Sequence, residues 1–128
     1  SAAELAKSPF AGSLFEGLIA SEIVKAQVNA GRRREIYHFR DEQGLEVDFV
    51  TPGPGGSLTL VECRAVRTVT PAMAAPMQRL RDAVKKARRK DTAVNMFLVH
   101  QSPKVRHPTE AVAPGVLALP WRDFIEQL

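Results

Sequence analysis

Residues 45–66, LEVDFVTPGPGGSLTLVECRAV, constrain the fold more than any other stretch. Two runs of strand-forming residues flank a Pro/Gly segment, PGPGGS, that neither a strand nor a helix tolerates. Each run carries an acid where a buried strand should be apolar. Asp48 lies in the first, Glu62 in the second, and Arg64 follows two residues on. Charged side chains are costly inside a sheet unless they are paired or hold a metal. The stretch therefore predicts either a buried ion-pair cluster or a metal site.

The surrounding chain supplies a sheet and its helices. Gly12 and Ser13 precede a helical pattern, with Ser13 as N-cap and Glu16 completing a capping-box spacing. Leu14, Phe15, Leu18, Ile19, Ile23 and Ala26 predict one broad apolar face that ends near Gly31. Glu22 points into that face and Glu16 lies at its edge. Strands are expected over residues 35–40, 45–51 and 58–66, the first two joined by a tight turn, Asp41-Glu42-Gln43-Gly44. Strict alternation puts Glu46, Asp48 and Val50 on one face and Leu45, Val47 and Phe49 on the other. In the third strand Leu58, Leu60, Glu62, Arg64 and Val66 point one way.

A second helix is expected from residue 72 or 76 to 90, with Met73, Met77, Leu80, Val84 and Ala87 as its stripe. Residues 93–100 read as a fourth strand, 101–115 as a polar loop, 116–119 as a fifth strand and 121–128 as a terminal helix. The third strand, second helix and fourth strand have the length of a right-handed β-α-β crossover. The expected fold is α/β: a mixed central sheet in the order α-β-β-β-α-β plus a short C-terminal strand and helix. It forms one domain over residues 1–128, with 1–11 as a lead-in. The chain begins at Ser1 without an initiator Met, so a fragment of a longer protein is expected.

Composition excludes several classes. With 45% apolar and 25% charged residues the chain is of ordinary globular type. Its one cysteine, Cys63, cannot form an internal disulfide, which fits a reducing, cytoplasmic setting. No apolar run approaches the roughly 18 residues of a membrane span, so no membrane partner is expected. PGPGGS lacks the Lys-Ser/Thr of a phosphate-binding loop, so this chain is expected to have no ATP site. His38, His100 and His107 have no metal-ligand spacing with cysteines, so no zinc site is expected. The net charge of +4 is compatible with a polyanionic partner.

Glu16 in a first helix, Asp48 in a second strand and Glu62-x-Arg64 in a third together resemble the PD-(D/E)xK nuclease-like superfamily. The element order matches that superfamily's restriction-endonuclease-like core. The segments GSLFEGLIASE, YHFRDEQGLEVDFV, LTLVECRAV and VLALPWRDFIEQL look like a narrower group within it. That group is a domain of unknown function found C-terminal to predicted prokaryotic AAA-type ATPases. The GSLFE and VECR segments are also similar to archaeal Holliday-junction resolvases.

The resemblance implies that Asp48 and Glu62 are metal carboxylates and that Glu16 reaches the site from the first helix. It also implies Mg²⁺ or Mn²⁺ as cofactor, and DNA and the parent ATPase domain as partners. The residue at 64 would face the attacking water. There the chain departs from the pattern, with Arg64 in place of lysine. A guanidinium stays protonated and cannot act as a base, although it can hold a phosphate. Two functions stay open: divalent-metal-dependent DNA cleavage by Glu16, Asp48, Glu62 and Arg64, or a catalytically inactive interaction or nucleic-acid-binding module.

Blander readings stand beside these. Asp48 and Glu62 can be partners for Arg40 and Arg64 in an ion-pair network. Glu46 reads as exposed hairpin charge, and Glu22 as an ion-paired acid. Cys63 reads as a small core residue, and Trp121 and Phe124 as pins for the last helix. The cations Arg79, Arg81, Lys85, Lys86 and Arg88 to Lys90 can form a solvated helix face, or with Arg32 to Arg34 a phosphate-tracking surface.

Overall fold

The strand that carries Glu62 is apolar on both faces, with Leu58 and Leu60 on one and Val61 on the other, so it needs a layer of helix on each side. The computed structural model supplies both layers. It describes residues 10–101 and 110–128, without the side chains of residues 110 and 111. The order is α1 (Ala11–Asn29), β1 (Tyr37–Arg40), β2 (Glu46–Pro52), β3 (Leu58–Arg64), α2 (Pro71–Ala87), β4 (Val94–His100), β5 (Glu110–Ala113), β6 (Val116–Pro120) and α3 (Trp121–Glu126). A 3-10 turn, Pro54–Gly56, joins β2 to β3. The six strands form one mixed sheet in the order β1-β2-β3-β4-β6-β5. β1, β2 and β3 pair antiparallel, while β3–β4 and β4–β6 are parallel, as the crossover requires.

Two apolar layers hold the helices on the sheet. On one face, Ala74, Met77 and Leu80 of α2 pack on Val47, Leu60, Met96, Leu98 and Val116. On the other, Phe15, Ile19 and Ile23 of α1 and Phe124 of α3 pack on Val61, Val99 and Leu119. Phe124 meets Phe97 edge to face at 5.6 Å, and Trp121 packs against the same layer. The expected pinning of the last helix therefore holds.

Several local expectations are corrected. The fifth strand expected from the sequence is β6; a further strand, β5, lies within the expected loop over 101–115, pairs with β6 and completes the sheet. Residues 102–109 of that loop, His107 among them, lie outside the described residues, as does most of the 1–11 lead-in. Helix α1 begins at Ala11, and Leu14 N–H already bonds Phe10 O at 3.0 Å. Ser13 therefore sits inside the first turn and cannot be the N-cap. The buried stripe of α1 is Phe15, Ile19, Ile23 and Gln27, one residue every four. Leu14 and Leu18 sit about 100° round the helix from it and are 54% and 39% exposed. The broad apolar face thus narrows to a single stripe. Glu22 does not enter it; the carboxylate takes the Lys25 ammonium at 2.9 Å.

Gln27 takes an apolar position in the stripe because both ends of its amide are used. Its Nε2 donates to Glu35 O at 2.9 Å, and its Oε1 accepts from Glu35 N–H at 3.1 Å. The helix closes with Arg32 N–H on Gln27 O and Gly31 N–H on Val28 O, with Gly31 at φ 72°. This is the paired-bond termination that needs a left-handed residue, and it ends α1 where the glycine predicts.

The assignment of faces on α1 is testable by urea denaturation. Ile19→Ala should cost about 2–5 kcal/mol through lost burial and a residual cavity. Leu14→Ala should cost less than about 0.5 kcal/mol. Equal costs would put Leu14 in the core.

Candidate functional site

A bulge in β2 creates the site. Tyr37 pairs with Val50, but Phe39 pairs with Val47, so Asp48 and Phe49 together face the single residue His38. The bulge corrects the strict alternation expected from the sequence. Val47 and Val50 both face the α2 layer, while Phe49 between them faces the α1 layer. Asp48 does not share a face with Val50; it is turned toward α1, where Glu16 waits.

The strands also part here. Backbone pairing of β2 with β3 runs from Pro52↔Leu58 to Phe49↔Val61. The next step is made by a side chain: Asp48 Oδ2 accepts the Cys63 N–H at 2.8 Å. Continuing the register places Asp48 across from Glu62. Glu16 from α1 thus meets Asp48 on one side, and Glu62 from β3 meets Asp48 on the other, at the point where β2 and β3 open.

His38 joins them. One ligand atom from each of Glu16, His38 and Asp48 lies within 4.8 Å of the others. His38 Nδ1 lies 3.2 Å from the Asp48 backbone oxygen. A carbonyl oxygen only accepts, so in the neutral ring Nδ1 carries the proton and Nε2 the lone pair. His38 has no cysteine at metal-ligand spacing, so no zinc-type pattern in the sequence marks it. The available signal was its place on the hairpin strand facing Asp48.

The charge balance of the cluster is uneven. Glu62 is only 4% exposed. Burial, then the neighbouring Asp48 carboxylate, pushes its pKa up to about 9, against a smaller opposing pull from Arg64. Burial and Asp48 also raise the pKa of Glu16, with Glu46 adding to the rise and His38 opposing it. Burial pushes the Cys63 thiol up, and the surrounding carboxylates add to it. Cys63 packs into the α1 layer, as expected of a core residue, and its N–H holds Asp48.

The ion-pair alternative is met only in part. Arg40 pairs with Glu46 at 3.1 Å, out in the hairpin. Arg64 approaches Glu62 at 3.7 Å with a side chain 45% exposed. That distance is an ion-pair contact but too long for a hydrogen bond. Arg64 at this distance does not offset the burial of Glu62, so a proton on Glu62 supplies the balance. A cleft of about 480 Å³ lies elsewhere, toward the β2–β3 turn, with Ile23, Gln27, Arg32, Thr51 and Phe97 in its walls.

A family model described as Domain of unknown function (DUF4143) matches residues 11–114. The chain belongs to that family. No curated protein and no solved structure matches it. Among the described residues, no helix is long and apolar enough to cross a membrane.

The proton on Glu62 gives a pH test. Its ordinary value is 4.5 and the folded value about 9. Between these the folded chain holds one more proton than the unfolded chain, so stability is full below about 4.5 and falls as pH rises toward 9. In EDTA, the melting temperature should fall by on the order of 10 °C from pH 5.5 to 8.5 through this group. Glu62→Gln should flatten that slope. Parallel slopes for the two proteins would mean Glu62 is ionised in the folded chain.

Proposed function

We propose that this chain is a PD-(D/E)xK nuclease-like domain of an AAA-type ATPase-like protein, built for divalent-metal-dependent cleavage of DNA. One observation carries the reading. Glu16 from α1 and His38 and Asp48 from the β1–β2 hairpin bring ligand atoms within 4.8 Å of one another, with the buried Glu62 against Asp48. Hard carboxylate oxygens on a partly buried floor suit Mg²⁺ or Mn²⁺. Asp48, Glu16 and His38 would hold the ion, and Glu62, expected as a ligand from the resemblance, lies beside Asp48 outside that group. When bound, such an ion neutralises phosphate charge and lowers the pKa of a water.

The chain's own residues divide the remaining work. Asp48 is fixed by the Cys63 N–H and cannot swing away. Arg64, half-exposed at the rim, suits a phosphate oxygen through charge-assisted hydrogen bonds. It cannot take a proton, so that role passes to another group. His38 changes the choice of ion, because an imidazole nitrogen favours Mn²⁺ over Mg²⁺.

Arg64 also favours a second reading. Its guanidinium stands where the resembled pattern has lysine and already faces Glu62. In that reading the cluster is kept as part of the fold, and the domain docks on its ATPase partner or on nucleic acid.

Two measurements decide. By calorimetry Mn²⁺ should bind more tightly than Mg²⁺, and His38→Ala should reduce the difference by about tenfold. If Mn²⁺ does not bind, the metal reading falls. In a plasmid-nicking assay with Mn²⁺, wild type should cut, and Asp48→Ala should lose at least about 100-fold in rate. A silent wild type with activity gained in Arg64→Lys would establish the second reading.

A further inference from the structure

The direction of the two long helices gathers cations at the end of the sheet away from the carboxylates. Helix α1 starts beside Asp48 and ends beside Pro52 and Gly53, where Arg32 and Arg33 border the β2–β3 turn. Helix α2 follows β3 and runs back, ending with Arg88 Nη1 3.4 Å from Gly56 O in the same turn. Pro54–Gly56 thus has Arg32 and Arg33 on its α1 side and the cations of residues 85–90 on its α2 side. Four residues of β2, roughly 13 Å, separate Pro52 from Asp48.

These cations are largely uncompensated. Arg33 approaches Glu35 at 3.6 Å and Arg89 approaches Asp91 at 3.2 Å. Among the described residues, no carboxylate pairs with Arg32, Arg34, Lys85, Lys86, Arg88 or Lys90. Lys85 and Lys86 lie in the last turn of α2 and offset its dipole. That effect fades within a turn, so it does not account for Arg88 to Lys90, nor for Arg32 to Arg34 beyond α1. Such a density of free charge on both flanks of one turn lowers its self-repulsion against a polyanion.

We propose that the β2–β3 turn end, through Arg32, Lys85, Lys86, Arg88 and Lys90, is a docking face for duplex nucleic acid, separate from the carboxylate cluster. A duplex offers phosphates in two rows, which suits cations on two sides of a protruding turn. Single strands are held by series of exposed aromatics. Among the described residues of this cleft, which Tyr37 and Phe39 share with Arg88, Tyr37 is the exposed ring, at 57%. The contact is to backbone phosphate and so is independent of sequence.

Fluorescence anisotropy with a labelled 20-base-pair DNA duplex in EDTA tests this face without reference to the metal reading. About five phosphate contacts would give a log–log salt slope near −4.5, a loss of several hundred-fold between 50 and 200 mM salt. Arg32→Ala with Arg88→Ala should weaken binding at least about tenfold and make the slope shallower by about 1.8. Lys86→Ala with Lys90→Ala removes two side chains that make no internal bond, and should act alike with the melting temperature unchanged. Absence of duplex binding at 50 mM salt would overturn the proposal, as would binding indifferent to both double variants. Tighter binding of a single strand, lost in Tyr37→Ala, would replace the duplex as ligand. Equal competition by polyglutamate at matched charge would instead point to an acidic protein surface.

Discussion

The Asp48 carboxylate on the Cys63 amide is the contact on which the site depends. It stands where the β2–β3 ladder stops, and it substitutes a side-chain acceptor for a backbone one. Without it, an N–H in a half-buried strand would lose its partner, a cost of about 1–3 kcal/mol. The contact also holds one acid in place while the strand beside it delivers Glu62 and α1 delivers Glu16. The bulge opposite His38 is the backbone condition for all of this. A regular β2 that kept both valines on the α2 layer would have nowhere to place Asp48 and Phe49 together.

Charge, rather than shape, then gives the cluster its character. Carboxyls this close cannot all ionise at neutral pH. The fold accepts the conflict by leaving a proton on Glu62, although an apolar side chain of similar volume would remove the cost altogether. Arg64 relieves little of it from 3.7 Å and half in solvent. The DUF4143 family has no assigned function in its description, so the meaning of this retained conflict rests on the chemistry of the residues. A site that a cation would relax and a proton now holds is the physical content of the proposed function. Arg64 marks the step at which that function passes or fails.

The sequence carried the sheet well because its strands are short apolar runs bounded by strong turns. Gly44, at φ 86°, sits at the end of a hairpin whose Asp41 Oδ1 accepts two backbone N–H groups, and Gly31 ends α1 as placed. Errors appeared where a tertiary contact overrode a local pattern. The capping-box spacing at Ser13 was outcompeted by a helix that starts one turn sooner. The Leu14 and Leu18 positions were apolar but a flat sheet touches only one stripe. The bulge was invisible because alternation in VDFV has no glycine or proline to mark its break. Its consequence, the reassignment of Asp48 and the entry of His38, therefore had no local signal. Glu16 and Glu22 were a different case, since a helical wheel favours Glu22. The structure places Glu16 against Asp48 and leaves Glu22 on Lys25.

Topology also decides where charge can accumulate. A strand followed by a helix and a parallel strand obliges the helix to run back along the sheet, so α2 must end beside the β2–β3 turn. Helix α1 lies so that its N-terminal half meets Asp48, and it ends at the same turn. The acids sit where β2 and β3 open, and the cations past both helix ends sit where those strands close. A polyanion approaching the carboxylate end meets Glu16, Asp48 and Glu62 with Arg64 as the near cation. At the turn end it meets unpaired arginines and lysines on two sides. In the absence of a bound cation, the first encounter therefore favours the turn end, and any cleavage at the carboxylates requires nucleic acid to reach along roughly 13 Å of β2. In the proposed reading, the two ends of one strand pair would separate attraction from chemistry, the acids at the end where β2 and β3 open and the cations at the turn.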